Sequence, residues 1–311
     1  MRILFMGTPE FAVPHLQLLA ESGHDVVGVV TRPNRPAGRG RRLQAPPVKL
    51  AAEELGFAVH QPDKLNEPSF RDLVEALAPD CVCVVAYGAF LPRWLLEQPP
   101  AGCVNVHPSL LPKYRGAAPI QRAIMNGELE TGVSTMYMSE EMDAGDVILQ
   151  ERVPINASDD AGTLHDRLAQ IGARLLVRTV DLIAQGAAPR HPQEESEVTF
   201  APKIGPEDEK IDWTRSAAAI DAQVRALRPR PGAYTYYQGR RLKLWHTRPV
   251  AEIPAAGAPG EVVAVEAEGF KVATGDGMLA VLEVQPENGK RLAAPDFVNG
   301  YRVAVGDILG S

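Results

Sequence analysis

Continuous apolar runs at residues 3–6, 26–30, 81–86 and 104–106 most constrain what this chain can fold into. They do not alternate polar with apolar residues, so each suits a strand buried on both faces, as in a parallel sheet. Parallel neighbours need a crossover, and helix-like stretches near residues 9–21, 48–55 and 69–77 fall between the runs. The expected architecture is a Rossmann-like, doubly wound α/β domain. A strand pair is expected near residues 133–138 and 147–153. A helix should follow, with Leu164, Leu168, Ile171 and Leu175 on one face and Gly186 at its C-terminal cap. Residues 187–209 then turn polar and Pro-rich. Beyond them, residues 211–227 read as a helix, and short strands follow, separated by Gln238-Gly239, Glu268-Gly269 and Gly275-Asp276-Gly277. Closely spaced strands with Gly turns predict a small OB-like β-barrel. The predicted organisation is an α/β domain at 1–189, a linker at 190–209 and a barrel domain at 210–311.

At 311 residues, 45% of them hydrophobic, the chain can build two cores. No apolar run approaches the roughly 20 residues that span a membrane. The first strand-like run begins almost at Met1, which leaves no room for a leader and predicts a cytoplasmic protein. Cys81, Cys83 and Cys103 are odd in number and lie in apolar runs, so buried free thiols are expected. Cys81-x-Cys83 has no partner pair at zinc spacing, and no metal is expected. His15, His24, His60, His165, His191 and His246 lack a polar companion and suit surface or structural roles. Met136 and Met138, at strand spacing, suit a core face.

Chemistry enters at the end of the fourth run. In a strand, residues i and i+2 share a face, so Asn105 and His107 stand together while Val104 and Val106 point away, and Pro108 ends the strand. Singly, either residue would be read as a turn cap. Together they offer an amide and an imidazole as donors to an oxygen that gains negative charge in acyl transfer.

The neighbourhood makes the reading specific. Asn105-Val106-His107-Pro108-Ser109-Leu110-Leu111-Pro112, the following Lys113-Tyr114-Arg115-Gly116-Ala117-Ala118-Pro119-Ile120 and the later Met142-Asp143-Ala144-Gly145-Asp146 resemble the folate-dependent formyltransferases. That resemblance implies a site built from Asn105, His107 and Asp143, with Asp146 as a turn-capping residue. It implies folate held against the loop at residues 86–92, including Phe90 and Leu91, and against Ser109, Leu110, Leu111 and Pro112. Pro108 departs from the Gly that many members carry, and Arg230 stands where Trp is common.

Residues 31–49 hold five Arg and one Lys with no acid, in a chain whose net charge is −7. Such a run can be merely a solvated face. In a Gly- and Pro-rich loop, its guanidiniums can instead reach the phosphates of a polynucleotide. Pro36-Ala37-Gly38-Arg39-Gly40-Arg41-Arg42 resembles the basic loop of the tRNA-acting branch of the family, whose C-terminal barrel also contacts tRNA. The resemblance therefore implies transfer of a formyl group from 10-formyltetrahydrofolate to the α-amine of initiator methionyl-tRNA. Arg35, Arg39, Arg41 and Arg42 are the implied tRNA contacts, and a monomer without a metal or membrane partner is expected. Two other classes compete. A dinucleotide-dependent oxidoreductase is disfavoured by Gly7-Thr8-Pro9-Glu10-Phe11-Ala12, where Pro and Ala replace the second and third Gly of the fingerprint, although Arg32 leaves an NADP site open. A non-catalytic RNA-binding module is the other.

Overall fold

A computed structural model describes residues 1–37, 42–250 and 257–310. By contacts the chain divides into two units, one of residues 1–119, 130–154 and 165–201, the other of residues 120–129, 155–164 and 202–311.

The first unit is built on β1 (Arg2–Gly7), α1 (Val13–Glu21), β2 (Asp25–Val30), α2 (Pro47–Glu54), β3 (Val59–His60), α3 (Pro68–Leu77), β4 (Cys81–Val85), β5 (Cys103–His107), β6 (Glu130–Tyr137), β7 (Val147–Pro154) and, from His165 onward, α4 (Ala161–Ala184). Its seven-stranded sheet runs β7-β6-β5-β4-β1-β2-β3. The five strands from β5 to β3 are parallel, and β6 and β7 add antiparallel. Both faces are covered, which explains the unbroken apolar runs. On one face Leu4, Met6, Val82 and Val84 join Phe70 and Val74 of α3. On the other, Gly172 of α4 lies so close to Val106, Val133 and His15 that a Cβ would fall 2.7–3.3 Å from them. The three cysteines are buried and free, as their setting predicted. Met136 is buried and Met138 packs against the core.

Strand order reverses between β1 and β4, each of which is followed by its next connection to opposite sides of the sheet. Ligands of open α/β sheets sit beyond the carboxyl ends of strands at such a point. Gly7 closes β1 because a Cβ there would meet Ala12 and the Val85 carbonyl at 2.8 and 3.1 Å; close packing accounts for this glycine without a phosphate.

The second unit holds β8 (Tyr234–Tyr237), β9 (Arg240–Val250), β10 (Val262–Glu266), β11 (Gly269–Ala273) and β12 (Met278–Pro286), antiparallel in the order β8-β9-β12-β11-β10. Gln238 and Gly239 both have positive φ, as the tight hairpin between β8 and β9 requires. The two edge strands are tied to the same terminal segment. Leu309 N–H donates to the Gly260 carbonyl and Gly310 N–H to that of Tyr236, at 2.7 and 2.8 Å, closing the sheet into a barrel. The helix expected over 211–227 is shorter, Ala217–Ala226, because Ser216 caps it by accepting from Ala219 N–H. Residues 120–129 and 155–164 join this unit through charge-assisted bonds: Arg122 grips Asp208 with two bonds of 2.7 Å, and Arg228 reaches Asp160 at 2.8 Å.

Candidate active site

Asn105 and His107 end β5 on one face, while Val104 and Val106 pack into the core. His107 is buried, and both ring nitrogens have defined surroundings. Nε2 lies 2.9 Å from the Tyr114 carbonyl, which can only accept, so Nε2 carries a proton. Nδ1 faces Asp143 Oδ2 at 3.7 Å. A neutral ring therefore turns a bare Nδ1 toward the carboxylate, and only a protonated ring can donate from it. Among the described residues, none hydrogen-bonds to the Asn105 amide, which leaves its donors for a substrate.

Asp143 reaches the ring through a demanding turn. Its own φ is +53°, a left-handed conformation that non-glycine residues seldom adopt. Three contacts hold it. Gly116 N–H donates to Asp143 Oδ2 at 2.8 Å, and Gln193 Nε2 donates to the carbonyls of Asp143 and Gly145, both at 2.8 Å. Gln193 is fixed in turn by Arg115, whose Nε donates to its Oε1 at 3.0 Å and whose Nη2 pairs with Glu195. Gly145 admits no side chain, because a Cβ would overlap the Tyr137 carbonyl oxygen. Arg190 lies 3.7 Å from the Tyr137 ring centroid and 3.5 Å from the Asp146 carboxylate, a partly exposed ion pair beside the turn.

Residues 190–201, whose composition reads as a linker, thus pack along this site. His191 bridges Val147, and residues 199–201 hydrogen-bond to residues 114–118. Of their polar side chains, Gln193 is spent on backbone carbonyls of the Asp143 turn, a use that composition cannot distinguish from solvation. Gln193 and Arg115 are the members of the site that sequence reasoning missed. Arg115 fell within the quoted motif, but nothing local marked Gln193.

The segment expected against folate is tied down by internal hydrogen bonds. Ser109 Oγ donates to the Lys113 carbonyl at 2.7 Å, and the Leu111 N–H and carbonyl are already engaged by Ser134 Oγ and Gln150 Nε2. Leu111 is buried with Met136 and Val147, whereas Leu110 and Pro112 are half-buried. In the loop after β4, Phe90 is 70% exposed while Leu91 lies in the core. Of the four basic-loop arginines, Arg35 is exposed on a short hairpin formed by Arg35–Ala37 and Arg42–Gln44. Arg39 and Arg41 lie outside the described residues, as does the side chain of Arg42.

Comparison with known proteins places this geometry. A formyl transferase family model matches residues 1–180, and a model of the formyl transferase C-terminal domain matches residues 203–302. The methionyl-tRNA formyltransferase of Pelotomaculum thermopropionicum is 51% identical over 310 residues, covering 100% of this chain and 99% of that protein. The chain belongs to the methionyl-tRNA formyltransferase family. The member from Moorella thermoacetica is 50% identical with the same coverage. Among solved structures, the fold matches WlaRD, a sugar 3N-formyl transferase, with a TM-score of 0.68 at 17% identity over 93% of this chain and 99% of that one. It also matches HypX from Aquifex aeolicus in complex with tetrahydrofolic acid, with a TM-score of 0.62 at 21% identity, over 99% of this chain and 48% of that one.

Within this formyltransferase the Asn105, His107 and Asp143 cluster lies entirely in the first unit, at the carboxyl end of a central strand. Among the described residues, no group of three or more His, Cys, Asp or Glu side chains could hold a metal, and no helix is long and apolar enough to cross a membrane. Of the remaining histidines, His15 is the unusual one. It is fully buried, donates from Nδ1 to the Phe11 carbonyl at 2.9 Å and leaves Nε2 without a partner among the described residues. Burial pushes its pKa down to about 3.

Proposed function

We propose that this formyltransferase moves a formyl group from 10-formyltetrahydrofolate to the α-amine of methionine esterified to initiator tRNA. The observation that carries this reading is the match, over the full length of both chains, to relatives named for methionyl-tRNA. The amine attacks the formyl carbon, the carbonyl oxygen gains negative charge, and the bond from that carbon to the folate nitrogen then breaks as the amine proton is passed to the leaving nitrogen. Asn105 donates from its amide to the oxyanion. His107 donates from Nδ1 when protonated, since Nε2 is committed to Tyr114. Each well-placed donor is worth roughly 3 to 4 kcal/mol in the transition state. Asp143 supplies the countercharge at 3.7 Å and relays the amine proton. Folate lies against Phe90 and the Ser109 to Pro112 turn, and Arg35, Arg39, Arg41 and Arg42 contact tRNA phosphates.

The test offers 10-formyltetrahydrofolate with methionyl-tRNA, a purine-pathway amine and an amino-sugar nucleotide in parallel. Turnover with methionyl-tRNA alone is expected. Turnover confined to either small amine would overturn the substrate assignment, and none with any of the three would favour an RNA-binding module. Asn105→Ala and His107→Ala should each lower kcat by about 100-fold or more.

A further inference from the structure

One short stretch of backbone serves both members of the His107 and Asp143 pair. The Tyr114 carbonyl faces His107 Nε2 at 2.9 Å, and two residues later the Gly116 N–H donates to Asp143 Oδ2 at 2.8 Å. Tyr114 has a φ of +62°, a left-handed conformation that a non-glycine residue keeps only where its surroundings hold it. The hold comes from Thr199, in the segment that follows α4. Its Oγ1 accepts from Tyr114 N–H at 2.9 Å, and its carbonyl accepts from Arg115 N–H at 2.9 Å. The second bond fixes orientation. The Tyr114 carbonyl and the Arg115 N–H belong to one planar peptide unit and point opposite ways, so that plane is slung between His107 and Thr199 and cannot turn without losing a bond at each end. Close packing removes slack. Arg115 pairs with Phe200 and Gly116 with Ala201, and a Cβ on Gly116, whose φ is +126°, would lie 2.7 Å from the Ala201 carbonyl oxygen. Gln193 braces the Asp143 turn, whereas Thr199 braces the partner of the ring, so the two supports are separable.

The hold matters because a neutral imidazole has a single ring N–H and two acceptors here compete for it. The Tyr114 carbonyl asks for the proton on Nε2, and the Asp143 carboxylate, 3.7 Å from Nδ1, asks for it there. A carboxylate is the stronger acceptor of the two. Were the carbonyl free to swing away, the proton would settle on Nδ1 against Asp143, and the bare nitrogen would be the one on the Tyr114 side. With the carbonyl fixed, Nδ1 stays bare beside its countercharge, open to the proton that makes it a donor to the oxyanion. We propose that Thr199 is a positioning residue for formyl transfer, which by clamping the Tyr114 to Arg115 peptide keeps the neutral His107 ring in its Nε2–H tautomer. This rests on His107 being the oxyanion donor of the proposed reaction.

The experiment compares the wild type, Thr199→Val and Thr199→Ser in two assays. Nitrogen NMR of the isotope-labelled histidines, at an alkaline pH where free imidazole is neutral, reports which ring nitrogen carries the proton, with His107→Gln used to assign the His107 signals. Steady-state formyl transfer, with methionyl-tRNA and 10-formyltetrahydrofolate each varied, reports the consequence. Thr199→Val keeps the side-chain shape and the backbone carbonyl and removes only the hydroxyl, so its effect is partial. The wild type should show the Nε2–H tautomer alone, and Thr199→Val a mixture in which Nδ1–H is populated. In that variant kcat should fall about threefold to tenfold, the worth of one hydrogen bond, while both KM values stay within about twofold. Thr199→Ser restores the hydroxyl and should recover the wild-type tautomer and most of the rate. An unchanged tautomer in Thr199→Val would overturn the clamp, and so would equal shifts in the Val and Ser variants. A shifted tautomer with wild-type kcat would overturn the positioning role. If the wild type formylates no methionyl-tRNA, the functional reading fails separately, and the tautomer populations still decide whether Thr199 sets the ring.

Discussion

Replacing Asp143 by Asn would remove one charge and almost nothing else. The two side chains have the same shape, and the Asn oxygen can still accept the 2.8 Å bond from Gly116 N–H. What is lost is the carboxylate: the countercharge 3.7 Å from His107 Nδ1 and, with it, the base that relays the amine proton, so the attraction between the charges sets the minimum effect. The His107 and Asp143 side chains are only 5% and 14% exposed, so solvent screens them weakly. With an effective dielectric of about 20, a carboxylate and an imidazolium at this separation attract by about 4 kcal/mol. Part of that attraction is replaced by the amide dipole, so about 3 to 4 kcal/mol of transition-state stabilisation should disappear. The expected result is a fall in kcat of about 100- to 1000-fold. KM for folate and tRNA should change little, and the melting temperature should move by the equivalent of less than about 1 kcal/mol. Steady-state formyl transfer over a range of pH, with thermal unfolding alongside, reads all of these. A rate within tenfold of wild type at every pH would refute the charge argument and leave Asp143 a structural residue.

Three other perturbations test the supporting structure. Gln193→Leu removes both donors to the Asp143 turn and the acceptor for Arg115; kcat should fall about tenfold with an altered pH profile, and an unchanged profile would show that the turn holds without it. Gly145→Ala forces the backbone away from the Tyr137 carbonyl and should lower kcat by at least about 100-fold or unfold the unit, as circular dichroism would separate; wild-type activity would contradict the packing. His15 titrates near its ordinary 6.5 when unfolded but at about 3 when buried, so protons bind the unfolded chain first. Its stability contribution is complete above the unfolded value and is lost as pH falls toward the folded one. At about pH 5 the loss is about 2 kcal/mol, and His15→Leu should remove that share of the acid sensitivity in urea titrations at two pH values.

The sequence by itself determined the elements whose information is local. Apolar runs without alternation marked β1, β2, β4 and β5 because both faces of that sheet are covered. Spacing of two placed Asn105 and His107 on one face, and Gln238-Gly239 marked a hairpin because both positions need positive φ. Tertiary structure decided everything that depends on which distant backbone comes alongside. Pairing of β5 with β6 and the connection beyond it bring Asp143 to His107, 36 residues later, and they also set the Tyr114 carbonyl against Nε2, which restricts how the ring can donate. Gln193 gave no signal, since a polar side chain bonded to remote carbonyls looks in sequence like one bonded to water. The same holds for the last residues of the barrel: Leu309 and Gly310 close it only because two edge strands arrive on either side of them, and no local pattern records that arrival.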